Sequence, residues 1–145
     1  MIGLYDLVAD RLRANCPSLL QVEVGAEGVK AIEMLALGGD VTALVAPISD
    51  EARPVSTGTF HIVQTENETF AVVMALVFPG GFPQFETARQ EIKTALRGWM
   101  PDELALPIEY VGGATLLYDL KREGGRWLHR LRFRAVSQAT YGVST

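Results

Sequence analysis

From Phe60 to Phe78 the chain reads FHIVQTENETFAVVMALVF, with neither proline nor glycine to interrupt it. No other stretch restricts the fold as strongly. At about 3.3 Å per residue, one strand over this range would exceed about 60 Å, longer than a domain of this size spans. The part before Glu68 is therefore expected to project as an arm or to turn, and the part after it to be core. The polar QTENE segment interrupts the apolar face formed by Phe60, Ile62, Phe70, Val72, Met74, Leu76 and Phe78. Between Phe70 and Phe78 the odd positions Ala71, Val73, Ala75 and Val77 are apolar as well, as in a strand covered on both faces.

Other elements group around this strand. Leu4, Leu7, Val8 and Leu12 form one stripe and predict an amphipathic helix over 3–14, stopped by Asn15 and Pro17. Gln21–Val24 reads as a short extended piece and Glu27–Leu37 as a short helix ended by Gly38 and Gly39. Thr42–Pro47 predicts a buried strand, and Ser49–Thr59 a polar loop. After the breaker PGGFP, the stripe Phe85, Ala88, Ile92, Ala95, Leu96 and Trp99 predicts a helix over Gln84–Arg97, closed by Gly98 and Pro101. Ile108–Tyr110, Ala114–Lys121 and Arg126–Val136 read as strands, the last two joined as a hairpin by Glu123-Gly124-Gly125. The end, SQATYGVST, reads as a small polar tail over about 137–145. Hairpin-joined strands with few interposed helices favour an α+β fold: an antiparallel or mixed sheet with helices on one face and a projecting loop or β-arm.

A length of 145 residues fits a single domain, and 48% hydrophobic with 21% charged residues is a globular composition. Cys16 is the only cysteine, so no internal disulfide is expected and a reducing compartment fits. The start MIGLYDLVADRLRANC lacks the basic segment and apolar run of a signal peptide. No run approaches the roughly 18 apolar residues of a membrane span. A cytoplasmic protein is expected. The net charge of −4 argues against nonspecific nucleic-acid binding as the main role, although Lys121, Arg122, Arg126, Arg130, Arg132 and Arg134 concentrate nearly half of the 13 basic residues near the end.

Groups that could carry chemistry are scattered. His61 and His129 stand in no metal-ligand spacing, and one cysteine builds no zinc site. Ser49 and Ser56 lack the G-x-S-x-G setting of a nucleophile elbow. Cys16 follows a helix C-terminus, the wrong end for lowering a thiol pKa. Glu66 and Glu68 share a strand face as paired glycosidase carboxylates do, but in the most polar piece of the chain, which reads as a solvated arm. Gly80 and Gly81 precede a helix without either Gly-rich phosphate motif, so a tight turn accounts for them. No catalytic residue, cofactor or metal site is expected. In RWLHRLRFRAV, Trp127, His129, Leu131 and Phe133 alternate with Arg126, Leu128, Arg130, Arg132 and Arg134. The arginine face is either solvated and paired with acids on a neighbouring strand, or an interface for an acidic partner or a lumen lining.

PISDEA at Pro47–Ala52, FAVV at Phe70–Val73, the W-x-P step at Trp99–Pro101 and EYVGG at Glu109–Gly113 occur in an order that resembles tail terminator proteins of long-tailed phages and prophages. These are also called tail completion proteins and are related in fold to the lambda-type minor tail terminator. The resemblance runs from about residue 4 to residue 135. The arginine-rich RLRFRAV and the polar tail are not among its marks. It implies a virion protein at the head-proximal end of the tail, present in the host cytoplasm during assembly. Such a protein forms a homohexameric ring that caps the tail-tube protein, stops its polymerisation and offers its other face to a head-completion or connector protein. The genome would pass through the lumen without sequence-specific recognition, and no membrane is involved. Asp50, Glu51 and Arg53 in the polar loop, and Arg130, Arg132 and Arg134 on the last strand, are the contact residues expected under this reading. The competing readings are a tail-tube subunit or head–tail connector, and a small ligand-binding or enzymatic α+β domain, which needs a pocket of convergent polar groups.

Overall fold

The computed structural model describes residues 3–25, 41–52, 56–57, 61–77, 82–101, 106–119 and 126–142. Along them run helix α1 (Leu4–Asn15), strands β1 (Gln21–Val24), β2 (Thr42–Ala52), β3 (Ser56–Thr57) and β4 (His61–Val77), helix α2 (Phe82–Leu96), and strands β5 (Glu109–Asp119) and β6 (Arg126–Gly142). The strands form one sheet in the order β1-β2-β4-β6-β5, with β3 paired to β4 off this path. Only β1 and β2 are parallel; the remaining pairs are antiparallel. This is the expected α+β architecture. The helix predicted at Glu27–Leu37, the turn at Glu123–Gly125 and the first three residues of the breaker PGGFP lie outside the described residues, while Phe82 and Pro83 of that breaker already belong to α2; Asp119 pairs with Arg126 as the hairpin requires.

The two long central strands set the shape. β4 and β6 each have 17 residues and pair from His61↔Gly142 to Val77↔Arg126 without a break in register. At about 3.3 Å per residue they extend roughly 56 Å, whereas a compact globule of this length is about 38 Å across. The excess is the arm foreseen from the sequence, and it stays a strand throughout. Residues 70–76 are all buried, while 64–69 are partly or fully exposed. The boundary between core and arm falls at Phe70.

Two expectations are corrected along this arm. Ser49–Ala52 is strand rather than loop: after a bulge between Pro47 and Ser49, β2 resumes opposite Glu66–Thr69. Ser137–Gly142 is likewise strand rather than a polar tail, opposite His61–Glu66. Backbone hydrogen bonds along β4 hold both segments, and polar side chains give no periodic signal of such pairing.

The helix-side face of the sheet buries Phe70, Val72, Met74 and Leu76 of β4 with Leu131, Phe133 and Ala135 of β6. Val8, Ala9 and Leu12 of α1 and Phe85, Ala88, Ile92, Ala95 and Leu96 of α2 complete this core, as both helical stripes predict. Ser18 ties the helices together, its N–H and Oγ donating to Glu91 at 3.0 and 2.9 Å. Arg11 Nε donates to the Ala95 carbonyl at 3.1 Å. Gly98, at φ 81°, ends α2 in the left-handed region that glycine enters without strain. The opposite face, with Leu44, Ala46, Ala71, Val73, Ala75 and Leu128, is buried too, in accord with a strand covered on both sides.

Aromatic rings cross the helix-side face at the core boundary. Phe70 and Phe133 are register partners with centroids 5.7 Å apart. Tyr110 meets Phe133 at 5.4 Å and Tyr5 meets Phe70 at 6.2 Å. Phe133→Ala is expected to lower stability by about 3–5 kcal/mol in urea unfolding. Thr65→Ala on the arm should change it by no more than about 0.5 kcal/mol. Equal losses would mean that the hydrophobic core continues into the arm.

Candidate assembly surfaces

Of the six contact residues expected from sequence, the four with described side chains lie on two faces of the sheet. Asp50 lies on β2 in register with Glu68, on the sheet face that carries the helices. Glu51 pairs with Asn67 through the backbone; its side chain, and all of Arg53, lie outside the described residues. Arg130, Arg132 and Arg134 lie together on β6, on the face that carries Leu128 and is turned away from α1 and α2. Asp50 and the three arginines therefore stand on opposite sides of the sheet.

On the arginine face the neighbours decide each residue's surroundings. Arg134 stands between Thr69 and Glu109, and its Nη1 lies 3.5 Å from Glu109 Oε2. Both side chains are well exposed, so this pair contributes only about 0–1 kcal/mol. Arg130 is partly buried between Val73 and Ala114. Arg132 is exposed between Ala71 and Gly112, neighbours too small to cover it. Arg134 thus has an acid on a neighbouring strand, and Arg132 faces outward.

On the helix side the arm carries acids. Glu66 and Asp50 are exposed and Glu68 is half-buried. Directly opposed like charges such as Asp50 and Glu68 are unfavourable in an antiparallel pair. Tyr5 answers part of this charge. Its hydroxyl donates to Glu68, and its pKa is pushed up to about 12 by burial first, then by the Glu68 and Asp50 carboxylates.

A basic row on α2 went unnoticed in the sequence, although its i, i+4, i+8 spacing was legible there. Arg89, Lys93 and Arg97 run along the flank of α2 that faces β5. Lys93 Nζ sits 4.4 Å, and Arg97 Cζ 5.7 Å, from the Tyr110 ring centroid. Desolvation, then Arg89 and Arg97, hold the Lys93 ammonium below its ordinary pKa. Beside the row, Arg97, Ile108 and Tyr110 border an open cleft of about 670 Å³. Its polar groups do not converge as those of a small-molecule site do. Among the described residues no group of three or more His, Cys, Asp or Glu could hold a metal ion, and no helix is long and apolar enough to cross a membrane.

Next to this row, His129 packs edge-on against Phe85 at 5.1 Å, while Trp127 stacks on Phe85 at 4.4 Å. Trp127 Nε1 donates to Thr115 Oγ1 at 3.3 Å, and that hydroxyl lies 3.1 Å from His129 Nδ1. Trp127 can only donate, so the hydroxyl proton is available to Nδ1, which suits a neutral imidazole. Gly113 makes room for the ring: a Cβ there would lie 3.0 Å from both His129 Nε2 and Tyr110 Oη. Burial first, and Arg89 second, depress the His129 pKa. The unfolded chain then binds the proton more readily, so stability from this group is present above pH 6.5 and is lost as pH falls below it. Urea midpoints measured from pH 7.5 to 5.5 should fall less steeply for His129→Gln than for the native chain. Parallel slopes would remove this assignment.

No family model matches the chain, and no curated protein matches it. Among solved structures, a chain from the virion of a native gene transfer agent particle superimposes with a TM-score of 0.61 at 15% identity, covering 94% of this chain and 96% of that one. PilO, the type 4 fimbrial biogenesis protein of Pseudomonas aeruginosa, aligns at a TM-score of 0.26 with 7% identity over 66% of this chain and 57% of that one. The core region of PilO aligns at 0.23 with 10% identity over 82% and 100%; neither alignment is close enough to bear on this chain. With the gene transfer agent chain, this protein shares a fold over nearly its whole length.

Proposed function

We propose that this protein is a structural component of a phage-like virion, and within that class a tail terminator that closes into a ring on the end of the tail tube. The observation that carries the reading is the fold shared end to end with a gene-transfer-agent virion chain. The ordered segments PISDEA, FAVV, W-x-P and EYVGG support the finer assignment.

The architecture suits the role. A ring of identical subunits joins two different patches of each copy, and this sheet ends in two unlike edges, β1 and β5, among the described residues. Exposed Leu20 and Val24 lie at or beside the β1 edge, and Val111 and Leu116 on β5. Val111 and Leu116 sit at the two irregularities in the β5–β6 register. Bulges of this kind discourage indiscriminate strand addition at an open edge. The arm adds a stiff polar extension for reaching a neighbouring protein.

Deleting the gene in a strain that produces the particles tests the proposal by electron microscopy. Overlong tails without heads are expected, and normal tails with heads would refute it. Purified protein that polymerises into tubes would instead identify a tube subunit. Arg132→Glu, at an exposed position, should change folding stability by no more than about 0.5 kcal/mol and restore fewer head-bearing particles than the native gene in the deletion strain. Full restoration would remove Arg132 from the contact surface.

A further inference from the structure

Arg89, Lys93 and Arg97 are spaced four residues apart on one helix, and like charges at that spacing repel by about 0.2–0.5 kcal/mol per pair. Nothing in the described chain neutralises them. Glu86, three residues before Arg89, forms no ion pair with it, and Glu109 on β5 is turned to the other face, where it meets Arg134. Arg89 Nε is buried without a hydrogen-bond partner. A protein of net charge −4 thus keeps three adjacent cations together beside β5, the last strand of the sheet among the described residues. The arm shows the converse: Asp50, Glu66 and Glu68 share one face with no cation bonded to them among the described residues, and only the Tyr5 hydroxyl answers Glu68.

The two sets match in spacing as well as sign. Successive basic residues on α2 stand about 6 Å apart along the helix axis, and Glu66 and Glu68 about 6.6 Å apart along their strand. Each set also has an exposed apolar residue beside it, Ile48 next to the arm acids and Val111 next to Tyr110. Within one chain, β6 separates the β4 acids from the β5 edge, and no ion pair joins the two sets.

We infer that the α2 row of one copy receives the acidic arm of a second copy, so that subunits join head to tail. This rests on the self-assembly in the proposed function and names the surfaces that would carry it. The occupant is a copy of this chain because the complement of the row, in charge, spacing and apolar neighbour, is present on the same molecule, with β6 lying between the β4 acids and the β5 edge.

Charge reversal tests the inference. Lys93→Glu with Arg97→Glu, and separately Asp50→Lys with Glu66→Lys, are each expected to weaken self-association about tenfold or more. Sedimentation velocity, and ring counts on tail tubes in negative stain, provide the readouts. A chain carrying all four changes should assemble to within about threefold of the native protein, a rescue that misfolding does not produce. Native association should also weaken with added salt. Rings that form normally with either pair reversed would overturn the surfaces and leave the ring reading standing. A native chain that forms no ring even on tail tubes would overturn both. Normal self-association with tail capping lost only in the Lys93/Arg97 variant would assign the row to a different acidic protein and overturn the second-copy inference.

Discussion

The pairing of Phe70 with Phe133, extended by Tyr5 on one side and Tyr110 on the other, is the contact on which the rest of the structure depends. It lies where two kinds of stabilisation meet. Toward Val77, the sheet is held by apolar burial under α1 and α2. Toward His61, main-chain pairing of β4 with β6 continues through the polar residues Gln64–Thr69. Because β4 and β6 pass through this row without a break, the anchored half orients the exposed half. A long two-stranded ribbon is marginal alone in water; continuity with a packed core makes this one a defined arm.

Charge is distributed over this frame with a direction. Acids collect on the helix-side face of the arm, and bases along the flank of α2 beside the opposite edge. The sheet separates both from the arginines of β6. A modest net charge conceals this separation, which gives one copy two unlike surfaces. Directional contacts between identical subunits require that asymmetry, and a closed ring is one of its outcomes. The tail-terminator proposal draws on the same asymmetry, together with a fold shared with a virion protein.

Much of the helical layer was legible in the sequence because burial there follows a simple period. The stripes Leu4–Leu12 and Phe85–Leu96 named the buried faces of both helices, and Gly98 marked where α2 ends. The alternation in RWLHRLRFRAV separated the two faces of β6. The arm was legible only in outline. Ser49–Ala52 and Ser137–Gly142 have the composition of a loop and a tail, and they are strands because β4 lies between them and offers free backbone groups on both sides. His129 read as an isolated histidine; its packing against Phe85 and its place above Gly113 come from residues far away in sequence.

What the sequence by itself determined is which faces of each element are apolar and that one strand is too long for its domain, since these follow from the repeat of side chains along the chain. The tertiary structure alone decided that Asp50 joins Glu66 and Glu68 on one surface, that the β6 arginines face the other way, and that Arg89, Lys93 and Arg97 flank β5. These juxtapositions depend on strand register and on the side from which the helices pack. Register is set by long-range pairing, and its effect on charged side chains leaves no local pattern to read.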